Sequence, residues 1–219
     1  MLSLERPSNI SSASSAVRTM PGIWSAGDEA RHRFRSLVPG VLRLSVDAIV
    51  VGLCGTLPGE GTSTMAIGLA VAIAEAGHTV VVLDAHAARP NHLASAWNAG
   101  SSSPQPTPAE RALLDRVTLG TVNEPVAAEA AGGLKSAVIA ATRRARVTLL
   151  DLEPVRESTQ TLGLANAVDA IYLVVEAQRE RREAIARSVE TLTRVGLPVA
   201  GVLLNKRPRP LPQFLYRWL

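Results

Sequence analysis

The stretch from Val50 to Thr64 constrains this chain more than any other. A short apolar run, Val50 to Leu53, leads into Gly55-Thr56-Leu57-Pro58-Gly59-Glu60-Gly61-Thr62-Ser63-Thr64, and an Ala- and Leu-rich helical pattern starts at once. A strand that breaks into glycines and restarts as a helix gathers backbone N–H groups and a helix N-terminus at one spot, where phosphate oxygens bind. Loops of this kind carry Lys and then Ser or Thr after the last glycine. Here Thr62 takes the lysine position and Ser63 follows it. The cradle is present and its charge is missing.

Around the loop, strand and helix patterns alternate. Asp28-Glu29 opens a helix with Ala30, Phe34, Leu37 and Val38 on one side, which Pro39-Gly40 is expected to end. Continuous apolar strands are expected over 48–53, 79–83, 147–150, 170–175 and 199–204, with a short strand inside 116–122. Helical patterns cover 64–76, closed by Gly77, then 134–144 and an amphipathic 179–195, while 98–108 reads as a loop. Such alternation implies right-handed crossovers. The fold class is α/β, a doubly wound, mostly parallel sheet flanked by helices in three layers. Ligands in such sheets bind beyond the carboxyl ends of the strands. The glycine loop, Asp84, Asp151 and Asn205 all fall at such ends.

With 219 residues, 47% hydrophobic and 19% charged, the chain supports one buried domain. The expected divisions are a Ser/Pro/Gly-rich flexible segment over 1–27, the α/β domain over 28–206, and a basic, aromatic tail over 207–219. A net charge of +4 is too small to select nucleic acid, and no basic–aromatic surface occurs outside the tail, so nucleic acid is not an expected partner. The solitary Cys54 excludes an intrachain disulfide, fits a reducing compartment and reads as a buried strand-end residue. No apolar run approaches the roughly 18 residues that span a bilayer. The N-terminus lacks the order of a secretory signal. A cytoplasmic location is expected, at the inner face of the membrane, with any membrane contact peripheral.

Taken together, these positions resemble the cytoplasmic domain of the bacterial tyrosine kinases of capsule and exopolysaccharide assembly. That group is a branch of the deviant P-loop ATPases, which also contain the chromosome- and septum-positioning ATPases. Its first motif, Pro-Gly-Glu-Gly-Lys-Ser-Thr, aligns with Pro58-Gly59-Glu60-Gly61-Thr62-Ser63-Thr64. Its second, Asp-x-Asp-x-Arg-x-Pro, is matched in part by the run from Asp84 to Pro90, where His86 replaces the second aspartate. The third, apolar-Asp-x-Pro-Pro, corresponds to Leu150-Asp151-Leu152-Glu153-Pro154, and the closing Gly-Val-Val-Leu-Asn-Lys strand to Gly201 through Asn205-Lys206. The positioning ATPases carry an extra lysine early in the loop. No lysine lies between Val50 and Gly77, which favours the polysaccharide branch.

The resemblance implies a P-loop NTPase-like site for ATP or ADP with Mg²⁺, with weakened binding. Pro58, Gly59, Glu60, Gly61, Thr62, Ser63 and Thr64 would contact nucleotide phosphates, and Asn205 the adenine edge. Ser63, Asp84 and Asp151 would hold Mg²⁺, and Asp84 and Asp151 would be the catalytic residues of an active enzyme. As alternatives, Ser63 is a helix N-cap and each aspartate a strand-end cap. An imidazole suits an oxygen-ligand Mg²⁺ shell poorly, and the sequence offers His86 no nearby Cys or His constellation. The branch's oligomerisation motif, Glu-x-x-Arg-x-x-Arg, corresponds to Glu29, His32 and Arg35, with the middle arginine replaced, and implies a homo-oligomer.

Three linked positions thus depart from the pattern: the lysine, the second aspartate and one interface arginine. The expectation is a non-catalytic or weakly active regulator or adaptor of exopolysaccharide or capsule biosynthesis. Its partner would be the cytoplasmic segment of a membrane polysaccharide co-polymerase, a chain-length regulator. One alternative is an active ATP-dependent tyrosine autokinase or ATPase with Tyr216 as phosphoacceptor. Another is a scaffold like the positioning ATPases. In the tail, Phe214, Tyr216 and Trp218 beside Arg217 suit either a membrane headgroup layer or packing back on the domain.

Overall fold

Seven consecutive buried residues place Ile49–Gly55 (β2) at the centre of the sheet. A strand apolar on both faces needs cover on both sides, and a central position supplies it. The structure is a computed structural model that describes residues 10–11, 20–25, 27–86, 92–99, 106–122, 138–156, 159–162 and 167–207. On one side β2 pairs in parallel with β5 (Val147–Leu152), followed outward by β3 (Val80–Asp84) and β4 (Val117–Val122). On the other it pairs with β6 (Ala170–Glu176), which pairs with β7 (Val199–Asn205). These six strands are parallel. A two-residue β1 (Ile10–Ser11) adds antiparallel to β4, giving the order β1-β4-β3-β5-β2-β6-β7.

Alternation along the strands builds two cores. Val51, Leu53, Val82 and Leu149 face one side, under α1 (Gly22–Ser25), α2 (Asp28–Leu42), α3 (Thr62–Glu75), α4 (His92–Asn98) and α5 (Pro108–Leu114). Val50, Val81, Leu150 and Leu173 face the other, under the helical segment 138–142, α6 (Thr159–Leu162) and α7 (Arg182–Arg194). The doubly wound, three-layer α/β sandwich expected from the sequence is the fold observed. Helix α3 is buried almost throughout, from Met65 to Ala74. It meets α2 at a point where a β-carbon on Gly68 would overlap the Phe34 ring. Only glycine permits that approach.

Two expectations fail. Helix α2 does not stop at Pro39-Gly40 but runs to Leu42. Proline removes only one backbone donor, the Arg43 N–H still reaches the Pro39 carbonyl at 3.2 Å, and the extra turn buries Val41. The second concerns the lead-in. Met20 and Trp24 are buried in the core under α2, and the Trp24 carbonyl accepts from Arg31 Nε at 2.7 Å. Arg31 and Arg35 each lie 5.9 Å from the Trp24 ring. One large aromatic supplies burial that an average over a Ser-rich stretch conceals. Residues 20–25 therefore pack with the domain, while most of 1–19 and all of 208–219 lie outside the described residues.

Candidate functional site

The loop between β2 and α3 is held from within and from behind. Glu60, flanked by Gly59 (φ 81°) and Gly61 (φ 90°), turns its carboxylate inward and is 1% exposed. It accepts from the Thr56 hydroxyl at 2.8 Å, the Leu57 N–H at 2.8 Å, the Glu176 N–H at 3.3 Å, and the Thr56 N–H. Behind the loop, three successive carbonyls each find a side-chain donor. Pro58 accepts from Arg179 Nη1 at 3.0 Å, Gly59 from Lys206 Nζ at 2.6 Å, and Glu60 from Asn205 Nδ2 at 2.8 Å. Carbonyl and N–H point opposite ways across a planar trans peptide. Tying these carbonyls back therefore turns the Gly59, Glu60 and Gly61 N–H groups forward, toward the cleft. The first α3 bond, Met65 N–H to the Gly61 carbonyl, leaves the N–H groups of Thr62, Ser63 and Thr64 at the helix mouth.

In front lies a cleft of about 440 Å³, lined by Pro58, Gly59, Gly61, Thr62, Ser63 and Thr64, and closed by His86, by Ala96 and Ala99 at α4, and by residues 152–154 at the end of β5. Six of the seven predicted loop residues thus line one cavity. Glu60 and Asn205 do not. Their side chains brace the loop, so Asn205, expected at an adenine edge, spends its amide N–H on the Glu60 carbonyl. A β-carbon on Gly61 would overlap that amide.

Asp84 and Asp151 are register partners on the adjacent strands β3 and β5, which sets their carboxylates side by side at the strand ends. Their surroundings differ. One Asp84 oxygen accepts from the His86 N–H at 3.0 Å and lies 3.1 Å from His86 Nδ1, and the other accepts from the Leu93 N–H of α4 at 3.0 Å. The strand-end cap proposed as an alternative is therefore one role of Asp84. Burial opposes ionisation, but the hydrogen bonds from the His86 ring, the Leu93 N–H and the His86 N–H hold its carboxyl below the usual range. Asp151 is 0% exposed, and neither of its carboxylate oxygens has a hydrogen-bond partner among the described residues. Burial pushes it up to about 7, against the pull of nearby His86 and of the Ser63 hydroxyl, which lies close without hydrogen-bonding geometry. His86 is raised: burial disfavours its charge, but the bond to Asp84 and the charges of Asp151, Asp84 and Glu153 outweigh that.

The profile of the CobQ/CobB/MinD/ParA nucleotide binding domain matches residues 51–217. The chain belongs to this family. Within it, the chain is similar to the tyrosine-protein kinase YwqD of Bacillus subtilis strain 168, at 25% identity over 189 residues covering 80% of each protein. The fold is shared with the kinase domain of the Escherichia coli tyrosine kinase ETK (TM-score 0.68, 15% identity, 88% of this chain and 82% of that one). It is shared also with the BceF tyrosine kinase domain (TM-score 0.67, 22% identity, 89% and 85%).

A nucleotide-binding family suits the forward-facing N–H groups, and the orphaned Asp151 carboxylate beside Ser63 fits a divalent cation, whose charge would sit next to the loop when bound. The imidazole of His86 in the same cluster fits Mg²⁺ poorly. Of the motif proposed for oligomerisation, Glu29 pairs with Arg33 at 2.6 Å, Arg35 makes a two-pronged pair with Glu75 at 2.6 and 2.7 Å, and His32 is exposed. Tyr216 lies outside the described residues. Cys54 is fully buried with its thiol pushed up to about 12, first by burial and then by the Glu60 charge, as a structural cysteine should be. Sequence reasoning missed Arg179 and Lys206 as loop supports. The available signal was the polar cluster at the ends of β6 and β7, facing the glycine loop.

Proposed function

We propose that this chain is a non-catalytic or weakly active, kinase-like regulator or adaptor of exopolysaccharide or capsule assembly, carrying a degenerate nucleotide site. One observation carries the reading. Among the described residues no Lys or Arg lines the cleft. Thr62 stands where the family's loop carries lysine, and two cations that touch the loop, Arg179 and Lys206, are tied to carbonyls at the back. Phosphoryl transfer rests on positioning and charge stabilisation. Loss of one preorganised charged donor costs on the order of 10²–10³ in rate, by analogy with other electrostatic sites. A threonine hydroxyl supplies one hydrogen bond and no charge. Weakened ATP or ADP binding with Mg²⁺ belongs to this reading.

The expected partner is the cytoplasmic segment of a membrane polysaccharide co-polymerase. Self-association through the α2 face and peripheral membrane contact through residues 207–219 are part of the same proposal. Among the described residues no helix is long and apolar enough to cross a membrane.

An active kinase or ATPase is the second reading, favoured by the placement of Ser63 and Asp151 beside the loop. Incubation of the full chain with labelled ATP and Mg²⁺ separates the two. The proposal expects no phosphotyrosine, and turnover at least about 10² below that of Thr62→Lys. Labelling of Tyr216, or turnover by the native chain that Asp151→Ala abolishes, would establish the second reading instead.

A further inference from the structure

We propose that Asp84, His86 and Asp151 form a mixed nitrogen–oxygen site for a transition-metal dication of the Mn²⁺-to-Zn²⁺ series, in preference to Mg²⁺. One ligand atom from each residue can be chosen so that all three lie within 4.8 Å of one another. Asp84 Oδ1 is 3.1 Å and Asp151 Oδ2 3.8 Å from His86 Nδ1. Donors that share one ion at about 2.0–2.2 Å sit roughly 3–4.4 Å apart, so small side-chain rotations close the set. Register pairing of Asp84 with Asp151 on neighbouring strands fixes the two carboxylates, and the sharp turn after β3 returns His86 to them.

A network of hydrogen bonds accounts for Asp84 and not for Asp151. The second Asp84 oxygen is committed to Leu93, while the first faces His86. Asp151 has no exposure, has no donor among the described residues, and aims one oxygen at the His86 ring that lines the cleft. A buried carboxylate left without a donor is costly unless a cation or proton answers it. Two carboxylates would suit Mg²⁺, but an imidazole nitrogen among them moves the preference to the Irving–Williams metals. The site needs no nucleotide and stands whether or not the phosphate cradle is ever filled.

The test is calorimetric titration of the metal-free full chain, without nucleotide, with MgCl₂, MnCl₂, CoCl₂ and ZnCl₂ separately, together with the visible spectrum of the Co²⁺ form. The expected result is one site that binds Co²⁺ and Zn²⁺ about 100-fold more tightly than Mg²⁺, with Co²⁺ absorption bands of a mixed N/O ligand set. His86→Asp should shrink that preference to about 10-fold or less. Asp151→Asn, which preserves shape, should remove the site while circular dichroism shows a folded chain. Equal or tighter binding of Mg²⁺ by the native chain would overturn the proposal. Unchanged Co²⁺ affinity in His86→Gln would also overturn it, because the imidazole would then supply no ligand to the metal.

Discussion

The two sides of the glycine loop differ in how completely their polar groups are answered. Behind it, the Pro58, Gly59 and Glu60 carbonyls and the Glu60 carboxylate all have donors, drawn from residues as far away as Asn205 and Lys206. In front, Asp151 is buried without a donor among the described residues, and Thr62 stands at the lysine position. The back is what shapes the cradle, and it is intact. On the proposed reading the front is what would act on a bound phosphate, and there Thr62 takes the place of the lysine. A chain losing its fold would degrade both. This difference separates loss of a charge from loss of an architecture.

Breaking the back should produce the largest effect. Glu60→Ala strands the buried Thr56 donors and the half-buried N–H groups of Leu57 and Glu176, and urea unfolding should show a loss of about 2–4 kcal/mol. Gly61→Ala forces a β-carbon against Asn205 at a positive φ, with an expected loss of about 1–3 kcal/mol. Partial recovery in the double variant with Asn205→Ala would assign part of that loss to the clash.

Changing the front should act in the opposite direction. Asp151 titrates near 7 in the fold, above its unfolded value of 3.8, so the folded state keeps a proton that the unfolded chain releases. Stability contributed by the protonated acid is present below about 4 and is lost as pH rises to about 7. In metal-free protein, Asp151→Asn should therefore raise the melting temperature. By free energy the gain should be about 1–3 kcal/mol at pH 8 and clearly smaller at pH 5. A destabilised Asp151→Asn at pH 8 would show that the front is answered after all. Smallest of all, Arg35→Ala removes an exposed ion pair with Glu75 and should barely move stability. A large change in sedimentation of the same variant would instead assign Arg35 to contacts between copies.

The sheet was legible because it is written locally. Continuous apolar runs mark doubly covered strands, and polar residues punctuate their carboxyl ends. The same logic located the loop, Asp84 and Asp151. It did not disclose that Asn205 braces the loop, a role set by a contact 145 residues apart, or that Glu60 points inward, where the curled loop brings the Thr56 and Leu57 donors onto its carboxylate and a strand 116 residues away adds the Glu176 N–H. His86 had Asp84 two residues away in sequence, but Asp151 joined them only through strand register. Trp24 was hidden by its Ser-rich surroundings, although one buried indole outweighs several polar neighbours in deciding whether a segment packs.

The most direct measurement is calorimetry of ATP–Mg²⁺ and ADP–Mg²⁺ binding to the native chain beside Thr62→Lys. An intact cradle lacking its charge predicts weak or undetectable binding by the native protein and a clear gain, about tenfold or more, in the variant. Tight micromolar binding by the native chain, unchanged by the added lysine, would contradict it.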